Sequence, residues 1–293
     1  MKNSEIRSIK ANYGAVISAK EFTEIEFINC TISQNYAGSN LFDIIDSKLF
    51  LEKITISNNI NNLFSVVRSS IILTDILIIN HSCMIVSQGC LLYVFDNSQI
   101  YIINSVFNKV ESMEKDNIFL FESSLNISMV SFTFTNTKVK KGSCFSGVSS
   151  NISVNSTYFS FFDGNAIYLE NSVISLSNSL VIDFLNKSKL SEKNKFGAFV
   201  CLDCFEIKIE NCSFLNNKGV KGGAVYLIDS TRIESKEKYI KGGLFQENEG
   251  EEEGGALYME NQNIFIEGVK FDRNLAINGG AIFCYLDGNL FFK

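Results

Sequence analysis

The feature that most constrains the fold is a short repeat that runs along the whole sequence. The segments FLNNKGVKGGAVYL (214–227), FQENEGEEEGGALYM (245–259) and FDRNLAINGGAIFC (271–284) each contain Phe-x-x-Asn and then Gly-Gly-Ala with an aliphatic residue. With that Ala as the first position, eleven related heptapeptides lie 22 to 32 residues apart. Periods of this length are typical of solenoids. The heptapeptides begin at residues 15, 41, 63, 92, 118, 144, 166, 198, 224, 256 and 281.

Each repeat unit carries short runs in which apolar and polar residues alternate. A second segment, such as IKIENCSFLNN (207–217), begins eight to ten residues after each heptapeptide start. Alternation with a period of two predicts strands, and no window sustains a helical period. Hairpin dipeptides are not the dominant signal between the strands, which favours parallel stacking over antiparallel meanders. The sequence therefore predicts an all-β parallel solenoid of about ten to eleven coils, continuous over residues 1–293.

The same alternation predicts which side chains face the core. In the first strand of a coil the second and fourth positions point inwards, for example Tyr93 and Phe95. In the third strand, Phe107, Phe214 and Phe271 take equivalent inward positions. Equivalent residues of a parallel solenoid lie about 4.8 Å apart along its axis. We therefore expect these three phenylalanines to belong to one interior column.

Polar and small residues recur at the corners of the predicted coils. Asn217, Asn248 and Asn274 follow the third strand, where an Asn side chain can bond the backbone and the next coil. The Gly-Gly pair that comes next permits a positive φ before the following strand. A second polar ladder is predicted at position six of the heptapeptide. It comprises Asp46, Asn97, Asn171, Asp203, Asp229 and Asn261.

Phe-x-x-Asn together with Gly-Gly-Ala-(Ile/Leu/Val) resembles the repeat of polymorphic outer membrane proteins. The full motif occurs in three copies within residues 214–282, and NYGAV (12–16) is a weak fourth. The resemblance implies a right-handed, single-stranded parallel β-helix of the pectin-lyase-like kind. It also implies a non-enzymatic scaffold for adhesion or surface display, because the family motif contains no catalytic residues. An extracellular or cell-surface location is the corresponding expectation.

An aromatic stripe on the outside of the first strands is the candidate binding site. Position three of the heptapeptide faces outwards and holds Tyr168, Val200, Tyr226, Tyr258 and Phe283. Stacked on one sheet, these residues would form a stripe about 20 Å long. Such a stripe could bind glycan rings or another surface protein. Alternatively, a flanking segment or an adjacent loop covers it.

The alternative function is that of a carbohydrate-active enzyme, either a polysaccharide lyase or a glycoside hydrolase. The sequence has no Asp-Asp or Asp-x-Asp, and most Asp residues are spread one per coil. The single histidine, His81, stands where other coils have the turn Asn, so we interpret it as a ladder residue. The acidic run 247–255 is interpreted as a solvated turn, with a weak divalent-cation loop as the alternative. No catalytic residue, cofactor or metal site is predicted.

The cysteines give one disulfide prediction. Cys83 and Cys90 flank a single loop and form the only plausible pair. Cys201-x-x-Cys204 has no second CxxC at zinc-finger spacing, so it supports a metal site only weakly. The Lys-rich segment 186–195 is interpreted as a solvated insertion.

Composition limits the possible partners. The net charge of −6 and the pI of about 5.1 argue against nucleic acid. No apolar run approaches the ~18 residues that span a membrane, and no signal peptide is visible in this chain. The first and last repeats are incomplete, so we expect a fragment of a longer protein. Its open ends would allow end-to-end stacking with flanking coils or with another protein.

Overall fold

The chain forms a parallel β-solenoid of about ten turns, which confirms the predicted fold class. The structure, a computed structural model, shows only strands, turns and irregular backbone in the residues it describes, and no helix. Within this part of the chain, nothing has the length and apolarity of a membrane-spanning helix. The described residues are 1–12, 14–84, 89–112, 117–139, 142–162, 164–184, 196–230, 237–286 and 289–292, without the side chains of 161 and 162.

Each coil contributes one strand to each of three rows, named here row 1, row 2 and row 3 in chain order. Row 1 contains Ile17–Ala19, Tyr36–Ile45, Ile60–Val67, Leu92–Phe95, Phe119–Glu122, Ser143–Val148, Asn165–Glu170, Phe199–Leu202, Val225–Ile228, Leu257–Glu260 and Ile282–Tyr285. Row 2 contains Glu24–Ile28, Lys48–Glu52, Ser70–Thr74, Gln99–Ile103, Asn126–Val130, Asn151–Asn155, Val173–Ser177, Glu206–Glu210, Lys238–Lys241, Asn263–Glu267 and Asn289–Phe292. Row 3 contains Glu5–Arg7, Thr31–Ser33, Thr55–Ser57, Leu77–Cys83, Val106–Ser112, Thr133–Thr135, Tyr158–Phe162, Leu180–Phe184, Ser213–Leu215, Leu244–Gln246 and Lys270–Asp272.

Four further strands lie at the corners: Lys10–Ala11, Lys138–Val139, Lys218–Lys221 and Glu249–Glu253. Row 2 is one 11-stranded sheet, and rows 1 and 3 belong to a 24-stranded sheet, in which the row 3 strand Leu77–Cys83 pairs with the row 1 strand Ile60–Val67 through Ser82 and Ile60. All strand pairings are parallel and connect neighbouring coils; Ile71, for example, lies between Leu49 and Ile100. Each coil therefore satisfies its backbone hydrogen bonds with the coils on either side.

A single column of apolar side chains fills the interior along row 3. Strand pairing joins Phe107 indirectly to Phe214 and Phe271, so the predicted stack is present. The rings of Phe214 and Phe245 stack with centroids 4.9 Å apart, and those of Phe245 and Phe271 at 5.2 Å. In chain order the column is Ile6, Ile32, Ile56, Ile78, Phe107, Phe134, Phe159, Val181, Phe214, Phe245 and Phe271.

The predicted inward pair Tyr93 and Phe95 is wrong. Row 1 pairs Leu92 with Phe64 and Val94 with Val66, so Leu92 and Val94 face the core while Phe95 is 40% exposed. This coil has two consecutive positive-φ residues at its corner, Asp96 and Asn97, where the previous coil has only Arg68. Because side chains alternate with a period of two, one extra corner residue shifts the strand alignment and exchanges its two faces.

The turn asparagines of the last coils form a continuous hydrogen-bonded ladder. Asn217 donates to the side-chain oxygen of Asn248, and Asn248 donates in the same way to Asn274. Each of the three side-chain amides also donates to a row 3 carbonyl of the preceding coil. Asn35 and Asn59 repeat this arrangement near the amino end. The ladder therefore satisfies polar groups at a corner that is almost completely buried.

The two glycines of Gly-Gly-Ala have different roles. The first of each pair has a positive φ, as in Gly222 (φ 58°) and Gly254 (φ 64°). The second lies against the backbone of the next coil: a Cβ on Gly223 would approach carbonyl oxygens of Glu249 and Gly255 to within 2.4 Å. The motif thus provides both the backbone bend and the room for the next coil.

The polar residues at position six are corner residues, and they do not hydrogen-bond to one another as a ladder among the described residues. All except Asp229 have a positive φ, between 48° and 57°. Asp46 pairs with Arg68, and Asp203 accepts hydrogen bonds from Ser230. Asp229 is buried and lies 3.3 Å from the ammonium of Lys238. The members described are Asp46, Asn97, Asn171, Asp203, Asp229 and Asn261.

A serine ladder, which sequence reasoning missed, lies one residue further on. The backbone N–H of Ser47 donates to the hydroxyl of Ser69, and that of Ser69 donates to the hydroxyl of Ser98. Ser124 and Ser150 continue the pattern. The heptapeptides end in Ser in most of these coils, so the signal was present in the repeat itself.

The structure contains two disulfides among the described cysteines. Cys83–Cys90 confirms the sequence prediction, whereas Cys201–Cys204 was not predicted. In the short CxxC segment the Cα atoms come within 5.9 Å, which suits a disulfide. The Lys-rich segment 186–195 lies outside the described residues, so its interpretation stays a prediction.

Candidate functional site

The aromatic stripe assembles in one line on the outer face of row 1. Strand pairing places Tyr168, Val200, Tyr226, Tyr258 and Phe283 on successive coils. The rings of Tyr226 and Tyr258 stack at 4.9 Å, and those of Tyr258 and Phe283 at 5.7 Å. Of the two alternatives, an accessible stripe and a covered one, the structure agrees with the covered one, because the three tyrosines are only 2 to 6% exposed. Phe283 is partly buried against them.

Side chains from neighbouring segments cover these tyrosines. The ring of Phe196 stacks on Tyr226 with centroids 3.9 Å apart. The ammonium of Lys221 lies 4.9 Å from the centre of the Tyr258 ring and pairs with Glu253 at 2.7 Å. Burial raises the pKa of Tyr168 to about 12, which agrees with a phenol withdrawn from water. The stripe is therefore a second apolar cluster outside the solenoid, and its rings do not offer a stacking surface to a ligand.

The acidic run takes part in this cover. Glu249–Glu253 is a strand that pairs with Lys218–Lys221, so the interpretation of a simple solvated turn is wrong here. Glu249 accepts a hydrogen bond from Lys218 at 2.7 Å, and Glu253 pairs with Lys221. Glu251 and Glu252 remain exposed. Two of the carboxylates thus neutralise lysines beside the buried tyrosines instead of converging on an ion.

An exposed aromatic surface lies instead on the outer face of row 2, near the last coils. Strand pairing places Lys208, Tyr239, Phe265 and Phe291 in one line. The rings of Phe265 and Phe291 stack at 4.8 Å and are 48% and 45% exposed. We call the depression around them the row 2 groove; its volume is about 480 Å³. Its lining is Lys208, Glu210, Glu237, Tyr239, Ile240, Lys241, Phe265, Ile266, Glu267 and Phe291.

Charged and hydroxyl groups surround the rings of the row 2 groove. Tyr239 donates its hydroxyl hydrogen to Glu210 at 2.6 Å, and this bond together with burial raises the pKa of Tyr239 to about 12. Lys241 and Glu267 lie 3.4 Å apart. An apolar strip of exposed ring edges beside hydrogen-bonding groups is suited to sugars, because a pyranose has an apolar face and a hydroxyl edge. The groove therefore has the chemical character that was expected of the tyrosine stripe.

The signal for this groove was available in the sequence. Residues between inward-facing Ile207 and Ile209, or between Ile264 and Ile266, must point outwards in a strand. Those positions are Lys208 and Phe265. The alternation that places Tyr226 on the outside of row 1 thus also places Lys208 and Phe265 on the outside of row 2.

His81 lies at the corner of the turn ladder. Pairing of Ile79 with Ser57 and of Ser82 with Ile60 places His81 beside Asn59 of the previous coil. The imidazole is 1% exposed, and its Nε2 lies 2.7 Å from the carbonyl oxygen of Asn61. Its position agrees with a substitute for the turn Asn, and it is remote in sequence from the row 2 groove.

The fold defines the class of the protein: it is a parallel β-solenoid with a repeat of 22 to 32 residues. No protein-family model matches the chain, and no curated protein matches it.

Proposed function

We propose that the chain is a non-enzymatic β-helical scaffold of a cell-surface or secreted protein and acts in adhesion or display. The proposal includes the polymorphic outer membrane type of repeat and a pectin-lyase-like right-handed helix, which rest on the Phe-x-x-Asn and Gly-Gly-Ala motifs. Within this scaffold, the row 2 groove is the binding surface, and its ligand is a glycan. Other surface proteins and end-to-end contacts between coils remain the alternative partners.

The observation that carries the proposal is the exposed stack of Phe265 on Phe291. The exposed edges of the two stacked rings form one apolar strip that the apolar face of a sugar can contact. The adjoining Glu210 and Lys241 supply hydrogen-bonding groups for sugar hydroxyls. Burial of the tyrosine stripe favours this face as the binding surface of the later coils, since Phe265 and Phe291 are both exposed and in contact with each other.

A glycan array tests the proposal. We expect the wild-type chain to bind one class of polysaccharide, and the Phe265→Ser and Phe291→Ser variants to bind it at least tenfold more weakly. Phe95→Ser is the matched control, because Phe95 is an exposed row 1 residue of similar accessibility. Equal binding by wild type and the groove variants would contradict this site, and no binding by wild type would contradict the glycan proposal.

A carbohydrate-active enzyme is the second candidate, because three carboxylates, Glu210, Glu237 and Glu267, line the same groove. Glycoside hydrolysis uses a pair of such groups on either side of the scissile bond. A polysaccharide-cleavage assay on any bound glycan distinguishes the two functions. Cleavage products that form with wild type but not with Glu267→Gln or Glu210→Gln would favour the enzyme. Binding of the glycan without any cleavage would favour the scaffold.

A further inference from the structure

A compact cluster of possible metal ligands lies at a corner between the third and fourth strands of row 1. The ligand atoms of His81, Cys83 and Cys90 lie within 4.8 Å of one another. All three residues are buried, with exposures of 1%, 3% and 0%. Cys83 and Cys90 are joined as a disulfide, with Cα atoms 5.6 Å apart. The cluster is far along the chain from the row 2 groove, and the proposed function does not use it.

The hydrogen bonding of His81 leaves one nitrogen available. A carbonyl oxygen can only accept, so the contact of Nε2 with the Asn61 carbonyl at 2.7 Å places the ring hydrogen on Nε2. Nδ1 then carries a lone pair, and no described residue forms a hydrogen bond with it. A neutral imidazole held through its other nitrogen by a backbone carbonyl is the usual state of a metal-ligating histidine.

The ladder alone does not explain this histidine. Asn59, in the equivalent position of the previous coil, uses both its oxygen and its amide nitrogen in hydrogen bonds. His81 uses only Nε2 and leaves Nδ1 buried without a hydrogen bond to the described residues, which is costly. Such an atom needs an explanation, and a role as a metal ligand close to the two sulfur atoms of Cys83 and Cys90 supplies one.

We propose that, when the Cys83–Cys90 disulfide is reduced, the two thiolates and Nδ1 of His81 bind a zinc ion. Sulfur and imidazole ligands suit Zn²⁺, and a set of three protein ligands leaves a fourth position for water or another molecule. Disulfide and metal exclude each other, because the same two sulfur atoms form either the S–S bond or the Zn–S bonds. The site is thus a redox-controlled metal site.

The chemical steps balance with a dithiol as the reductant. The dithiol supplies two electrons and two protons, the S–S bond between Cys83 and Cys90 breaks, and the reductant becomes its own disulfide. Zn²⁺ then displaces the two thiol protons, which pass to solvent. Zinc bonds of about 2.0 to 2.3 Å place ligand atoms of a tetrahedron about 3.3 to 3.8 Å apart. The two sulfur atoms separate to that distance once the bond is cleaved, and a ring nitrogen of His81 already lies within 4.8 Å of both.

A metal titration on the reduced protein tests the proposal. The background variant carries Cys201→Ser, Cys204→Ser and Cys284→Ser, which removes the second disulfide and the exposed thiol. After reduction with a phosphine and its removal, Co²⁺ serves as a spectroscopic probe that Zn²⁺ displaces. We expect one equivalent to bind with thiolate-to-cobalt charge transfer and the ligand-field bands of a tetrahedral site. The oxidised protein should bind none.

His81→Asn is the decisive comparison, because Asn is the residue that the ladder has in the previous coil at Asn59. We expect this variant to fold, by circular dichroism, and to bind the metal at least tenfold more weakly. Cys83→Ser should lose the charge-transfer band. Equal affinity of His81→Asn and the background, no binding by the reduced background, or equal binding by the oxidised form would each overturn the proposal.

Protection from alkylation gives a second measurement that does not depend on a variant. Zinc should slow iodoacetamide modification of Cys83 and Cys90 at least tenfold in the reduced protein, as read by mass spectrometry of the peptides. Modification of Cys144 provides an internal reference, because that buried thiol lies outside the cluster. Equal rates for Cys83 and Cys90 with and without zinc would contradict the site.

Discussion

The side-chain oxygen of Asn248 accepts two hydrogen bonds from Asn217, one from its backbone N–H at 3.1 Å and one from its side-chain amide at 2.9 Å. The side-chain amide of Asn248 in turn donates to Asn274 and to the carbonyl of Phe214. One side chain thus satisfies polar groups on both neighbouring coils. Because Asn248 is completely buried, water cannot replace these bonds.

Asn248→Ala should lower the free energy of unfolding by about 3 kcal/mol, because it leaves buried donors of Asn217 without an acceptor. Urea denaturation measures this change. Glu251→Ala is the control, since Glu251 is exposed on the same corner, and its effect should stay within about 0.5 kcal/mol. Equal effects of the two substitutions would show that the ladder contributes nothing specific.

Gly223→Ala should destabilise the protein more than Gly268→Ala. At Gly223 a methyl group meets two carbonyl oxygens of the next coil at 2.4 Å, and the coils must separate, at a cost of about 3 kcal/mol. Gly268 has φ +62° and open space around it, so Ala there costs about 1 to 2 kcal/mol of backbone strain. Thermal unfolding of both variants measures the two losses of stability. A larger loss for Gly268→Ala than for Gly223→Ala would refute the packing role of the second glycine.

Phe245→Ala should lower the free energy of unfolding by about 3 to 5 kcal/mol, because it opens a cavity in the column between Phe214 and Phe271. Phe265→Ala removes the same side chain from an exposed row 2 position and should cost less than about 1 kcal/mol. Denaturant midpoints of the two variants provide the comparison. A small loss for Phe245→Ala would be inconsistent with a close-packed interior.

The stability of the oxidised, metal-free protein should fall as the pH is lowered through the range set by His81. Its pKa is about 4 in the folded chain and about 6.5 when unfolded, so the unfolded state binds more protons between these values. Stability from this group is therefore complete above pH 6.5 and is lost progressively towards pH 4. Since the chain has one histidine, His81→Asn isolates the effect.

Between pH 7 and pH 5, in the presence of a chelator, wild type should lose about 2 kcal/mol more than His81→Asn. Urea unfolding at both pH values measures the difference. Parallel pH profiles for the two proteins would mean that the imidazole is accessible to protons in the folded state.

The interior of this fold could be predicted from two quantities: the two-residue alternation of side chains in a strand, and the length of the repeat. Together they determine which residues face inwards. Phe214, Phe245 and Phe271 recur at equal distances from the turn Asn, and parallel pairing places them in contact. The prediction of inward-facing residues was wrong for the coil that contains Tyr93, because the apolar pattern does not reveal the extra residue at its corner. The heptapeptide 92–98 matches the other repeats at its terminal Ser98, which follows the extra residue. The strand positions before that residue are therefore displaced by one.

The candidate site was harder to predict, because exposure depends on segments distant from the residue concerned. Tyr226 points outwards as expected, yet Phe196 and the strand containing Lys221 cover the stripe to which it belongs. The sequence pattern around Tyr226 does not show that other segments cover its side chain. Phe265, by contrast, lies on row 2, where no described segment shields it from solvent.

The equivalence of Phe214, Phe245 and Phe271 on successive coils has a consequence for how such a molecule can change size. Residues 245–270 make up one full turn, and their removal would bring Phe271 onto Phe214 and Asn274 next to Asn217, so that the interior column and the Asn ladder continue. Loss of one residue inside a strand would instead turn a core side chain outwards. Height can therefore vary in whole steps of about 4.8 Å while the cross-section stays the same.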